Sequence, residues 1–191
     1  MTEDNIIDPE VIEHLRAQGC QPRKHAPHFS WHDRSAQGKG LAEAGVVDNL
    51  LAAMSAEGHA QYQNLGPSGE QWPDVWIQGH AGERIPYEVA ELVDQAALPA
   101  GSPRPGIIDE LAPRVQAILD RKGMRSLGGA AGPQSVLVIH SDEFYLNADN
   151  VATALENATF KKPSSIQRAL LLLSYDPNRG GCPYFEIQLA A

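Results

Sequence analysis

Two carboxylates, Asp74 and Glu88, are the residues in this chain best placed by type and spacing to do chemistry together. Asp74 lies in Trp72-Pro73-Asp74-Val75-Trp76-Ile77, and Glu88 in Ile85-Pro86-Tyr87-Glu88-Val89-Ala90-Glu91. Gly79-His80-Ala81-Gly82 separates the two segments and predicts an antiparallel hairpin. On an extended strand Glu88 and Ala90 share one side, while Tyr87, Val89 and Glu91 share the other. A neighbouring strand starting at Asp74 brings its carboxylate close to Glu88. Two such groups repel each other, and the usual relief is a shared proton or a bound cation. Oxygen ligands of this kind favour Mg²⁺ or Mn²⁺.

A second cluster of reactive types lies nearer the N-terminus. Cys20, His25, His28 and His32 are potential zinc ligands, although their spacing matches no standard finger. The plainer reading is a polar arm with solvated histidines. From Arg16 to Lys39 the chain carries five basic residues against the single acid Asp33, with Phe29 and Trp31 among them. Arg23, Lys24, Arg34 and Lys39 could follow phosphates while Trp31 stacks on a base. Equally, Phe29 and Trp31 could anchor the arm on the domain. Residues 126–132 lack the Gly-Lys-Ser/Thr ending of a phosphate loop. His140-Ser141-Asp142-Glu143 follows an apolar run, and a helix N-cap at Ser141 or Asp142 is its simplest role.

The elements that must position these groups can be read from periodicity and breakers. Pro9 after Asp8 predicts a short helix to Ala17, and Gly19 to Gly40 reads as a loop or extended arm. Leu41, Ala44, Val47, Leu51 and Met54 define one face of a helix from Leu41 to Ala56, with Glu43 and Asp48 at its two edges. Strands are expected at 60–65, 74–78 and 84–93, then a loop over 96–106. A helix over 107–122 buries Leu111, Val115, Ile118 and Leu119. The run Ser135-Val-Leu-Val-Ile-His140 predicts a strand buried on both faces. Helical turns are expected at 147–157 and 164–168, and strands at 169–175 and 184–189. This order predicts a single-domain α/β protein with a mixed β-sheet flanked by helices: an N-terminal helix and basic, His-rich arm over 1–40 and a core over 41–191.

The 191 residues carry 15 Lys+Arg against 24 Asp+Glu, a net charge of −9, with 42% hydrophobic and 20% charged residues. That composition is globular, and it excludes a protein that coats nucleic acid or anionic membrane with its whole surface. Only a local basic patch could do either. No apolar run approaches the roughly 20 residues of a membrane span. The acidic N-terminus is unlike a signal peptide, so a cytoplasmic, non-membrane protein is expected. Two cysteines are too few for a disulfide framework.

At Pro73-Asp74 and Glu88-Val89-Ala90 the sequence resembles the PD-(D/E)XK, or restriction-endonuclease-like, nuclease superfamily. An acid-bearing helix before the hairpin, a helix after it and then a buried strand agree with that resemblance. It implies a restriction-endonuclease-like α/β fold and metal-dependent hydrolysis of phosphodiester bonds in DNA, less often RNA. It further implies Asp74 and Glu88 as metal ligands, Glu43 as a third from the preceding helix, with Asp48 its competitor, and Mg²⁺ or Mn²⁺ as cofactor. Ala90 stands where the family has its catalytic Lys. Some members supply that group from elsewhere, and Lys122 is the nearest candidate here, ahead of Gln95 and Glu91. The alternative is a catalytically inactive nuclease-like module that binds a protein partner or nucleic acid; Ala90 favours it, and the surviving acid pair favours the enzyme.

Overall fold

The computed structural model describes residues 36–59, 62–68, 72–93, 105–124, 134–143, 145–174, 176, 179 and 181–190. The expected helix at 8–17, and Cys20, Arg23, Lys24, His25, His28, Trp31, His32, Arg34 and Gln95, lie outside the described residues. Among the described residues three α-helices, α1 (Ala36–Ala56), α2 (Leu111–Met124) and α3 (Ala148–Leu155), accompany eight strands. The strands are β1 (Gln63–Pro67), β2 (Val75–Gln78), β3 (Arg84–Glu91), β4 (Ser135–Ser141), β5 (Phe160–Lys161), β6 (Ile166–Leu173), β7 (Tyr184–Glu186) and β8 (Leu189–Ala190). Six of them form a mixed sheet in the order β1-β2-β3-β4-β6-β7, and β5 pairs with β8 in a small parallel sheet. The expected α/β class with a mixed sheet is therefore observed. No helix among the described residues is long and apolar enough to cross a membrane.

The meander β1-β2-β3 is antiparallel, β3, β4 and β6 run parallel, and β7 returns antiparallel at the edge. The parallel steps need long crossovers. α2 lies between β3 and β4, and α3 between β4 and β6. Alternating side chains of the central strands serve two cores. Leu137 and Ile139 of β4 and Leu171 of β6 pack with Val115 and Leu119 of α2 and Val151 of α3. Val136, Val138, Leu170 and Leu172 point the other way and pack with Val47 and Leu50 of α1. All seven residues of β4 are buried, as a continuous apolar run between two helical layers requires.

Several elements depart from the expected pattern. α1 begins at Ala36, so Lys39 belongs to a helix rather than to the arm. Its ion pair with Glu43, at 3.1 Å and one turn apart, offsets some of the helix cost of Gly38 and Gly40. The buried face of α1 is rotated from the expected one: Leu50 is fully buried, Leu51 only partly, and Leu41 is 52% exposed. Turning the helix this way buries Val46, Val47 and Leu50 together, and it brings Glu43 onto the stripe that continues through Val47, Leu50 and Met54.

β1 starts three residues later and ends two residues later than expected, and it includes Gly66 and Pro67. The Asn64 side chain accepts from Gly66 N–H at 2.7 Å, and Gly66 adopts a φ of 89°, which marks a bulge against β2. Ile166 to Arg168 form the start of β6 instead of a helical turn, because buried Ile166 pairs with Ser135. The segment at 184–189 splits into β7 and β8. Asn147, not Ser141 or Asp142, caps α3, through a reciprocal capping box with Asn150. Ser141 is the last residue of β4, and its hydroxyl donates to the Leu92 carbonyl at 2.9 Å.

Candidate functional site

The β2-β3 register begins at Gln78 opposite Arg84 and ends at Val75 opposite Tyr87. Continued one residue, it sets Asp74 against Glu88, as the hairpin pattern predicts. Asp74 precedes β2 and is held from both sides of its backbone and side chain. Its carbonyl accepts from Ser68 N–H at 3.2 Å, and its Oδ2 accepts from Val89 N–H at 2.9 Å. Glu88 alternates with Tyr87 and Val89, which pack toward α1, and shares its face with Ala90, which packs toward α2. Ala90 is thus a small side chain in the α2-side core.

An ammonium from α2 meets the two carboxylates. Lys122, in that helix's last turn, places Nζ 3.0 Å from Asp74 Oδ2 and 2.6 Å from Glu88 Oε2. The three side chains are only 10–12% exposed. These distances are those of charge-assisted hydrogen bonds. Burial raises the Glu88 pKa above the ordinary carboxylate value; Lys122 opposes that rise and the Asp74 charge adds to it. One ammonium between two carboxylates leaves a net negative centre, able to attract a further cation or retain a proton.

Glu43 adjoins this centre through α1. Burial and the Asp74 charge raise its pKa, while Lys39 and Lys122 act in the opposite sense. Lys39 bonds Glu43 and feels Asp74 and Glu88. Desolvation would lower its pKa, but the Glu43 contact and those two charges leave it raised. Among the described residues no group of three or more His, Cys, Asp or Glu is arranged to hold a metal ion, so Glu43, Asp74 and Glu88 do not form a three-ligand set as they stand. Asp48 accepts from Asn64 Nδ2 at 2.9 Å in an exposed setting on the β1 side.

Glu91 belongs to a different neighbourhood. Burial, with the Asp142 and Glu143 charges, pushes its pKa up to about 8. The sequence also gave no role to Arg84, whose guanidinium lies over the Trp76 ring at 4.6 Å. The hairpin register was the signal that could have found it, since Gln78 pairs with Arg84 two residues along from Trp76. Compared with known proteins, the chain matches no family model, no curated protein and no solved structure.

Proposed function

We propose that this chain is a metal-dependent nuclease of the PD-(D/E)XK type that hydrolyses phosphodiester bonds in DNA, with RNA as the second choice of substrate. The observation that carries the reading is the position of Lys122 Nζ, within hydrogen-bond reach of both Asp74 Oδ2 and Glu88 Oε2. An ammonium at this point can do the work that Ala90 cannot. The order α1-β1-β2-β3-α2-β4 around an antiparallel hairpin and a buried parallel strand supports a restriction-endonuclease-like fold.

Asp74 and Glu88 would hold the metal. Two convergent carboxylates fit Mg²⁺ or Mn²⁺, because such ions use one or two carboxylates and complete their shells with water and phosphate oxygens. When bound, the cation supplies polarisation of a phosphoryl oxygen. Val89 N–H fixes the Asp74 carboxylate, and Lys122 offsets negative charge developing on the phosphate or orients the attacking water. Glu43, engaged with Lys39, tunes the charge around Asp74 from the α1 side.

One observation favours a second reading. Lys122 already donates to both carboxylates, which suits a non-cleaving module that binds protein or nucleic acid. Manganese calorimetry and cleavage assays on single-stranded DNA, duplex DNA and RNA separate the two. The nuclease reading expects Mn²⁺ binding that Asp74→Asn and Glu88→Gln abolish. It expects cleavage that falls about 100-fold or more in those variants and in Lys122→Met. Absence of Mn²⁺ binding at millimolar metal, or cleavage indifferent to all three substitutions, overturns it.

A further inference from the structure

Among the described residues neither Trp72 nor Trp76 belongs to either of the two cores. Trp76 alternates with Val75 and Ile77, which are fully buried on the α1 side, so its indole projects from the opposite face of the hairpin. There it stands half-buried against Pro86, with Arg84 and Gln78 forming the next cross-strand pair. The Arg84 guanidinium lies 4.6 Å from the Trp76 ring centroid, and the Trp72 ring meets Trp76 edge-on, with centroids 6.2 Å apart and planes at 79°. Glu88 is two residues beyond Pro86 on this same face, a step of about 7 Å along a strand. The aromatic row therefore runs into the Asp74-Glu88 centre.

We propose that Trp72, Trp76 and Arg84 form a base-stacking platform for single-stranded nucleic acid, which leads one strand to the Asp74-Glu88 centre. The proposal rests on the nuclease reading for the reaction at the end of that path. Indole rings kept out of the core present large π-surfaces at little ordering cost, and unpaired bases stack on aromatic rings and on guanidinium planes. Arg84 is exposed, so its charge is available to a phosphate while it steadies the indole. In a chain of net charge −9, Arg84 places one cation beside the indole at the approach to the carboxylate centre. Bases inside a duplex are already stacked on one another, so this surface selects single strands.

Tryptophan fluorescence of the full chain, titrated in EDTA with a thymidine oligonucleotide and with a duplex of equal length, tests the platform without any cleavage. The single strand is expected to quench emission and to bind at least about tenfold more tightly than the duplex. Trp76→Leu and the surface change Arg84→Gln each weaken that binding about tenfold; if Trp76→Leu fails to fold by circular dichroism, Arg84→Gln carries the comparison. Equal affinity for the two forms, no quenching, or single-strand affinity unchanged by Arg84→Gln overturns the proposal. Binding that depends on Trp76 and Arg84 in a protein that cleaves nothing leaves the platform standing and removes the nuclease reading. Cleavage that ignores both residues does the reverse.

Discussion

Glu91 and Glu88 stand three positions apart on β3, and the two carboxylates meet burial in different company. Glu88 has Lys122 against it, whereas Glu91 faces the charges of Asp142 and Glu143, and burial with those charges pushes its pKa up to about 8. The folded protein therefore binds more protons at Glu91 than the unfolded chain over the window from the ordinary value of 4.5 to about 8. Stability falls as pH rises through that window, because the unfolded state ionises first. Glu91→Gln, which stays neutral, is expected to flatten this decline. Urea denaturation at steps across the window should show the variant gaining on the native protein as pH rises. Parallel curves would mean that Glu91 titrates like an exposed carboxylate. The acidic types at 88 and 91 are plain in the sequence, but their different surroundings depend on which helix or loop lies over each one.

At the scale of elements, the C-terminal turn of α2 decides where Lys122 reaches. Gly123 packs on Pro163 so closely that a Cβ added there would lie 2.5 Å from the Pro163 Cβ. Ser165 Oγ also donates to the Gly123 carbonyl at 3.2 Å. In an isolated helix Gly123→Ala would stabilise by about 1 kcal/mol. Here the forced separation from Pro163 is expected to reverse the sign, with a net loss of about 1–2 kcal/mol in urea denaturation. A measured gain would show that the helix end yields freely. The apolar face of α2 was readable from spacing alone, since Leu111, Val115, Ile118 and Leu119 are its buried residues. That of α1 was not. Its sequence offers apolar residues on most sides, and contact with β2, β3 and β4 selected Val46, Val47 and Leu50 over Leu41.

For the whole molecule, the sheet separates two cores that share strands but not helices. Leu50 fills the α1 side and Leu119 the α2 side, and both are fully buried. Leu50→Ala and Leu119→Ala should each cost about 2–5 kcal/mol. Because the two sites lie on opposite sheet faces without common packing partners among helices, the double variant should show the sum within about 0.5 kcal/mol. Coupling well above that in chemical denaturation would mean that the sheet transmits repacking from one face to the other.

The order of residues by itself determined the α/β class, the buried strand at 135–140, the hairpin that opposes Asp74 to Glu88, and the face of α2. Each of these follows from a short-range rule: alternation along a strand, a glycine turn, or a three-and-four spacing. The start of β6 and the split of β7 from β8 escaped those rules, because pairing partners distant in the chain decided them. The resemblance pointed to Lys122 as a candidate, and it took the tertiary structure to decide that its ammonium is shared between Asp74 and Glu88. Linear spacing carries no information about which helix end a crossover delivers to a sheet face. Only the packed parallel sheet, with α2 lying between β3 and β4, brings that lysine to the carboxylates.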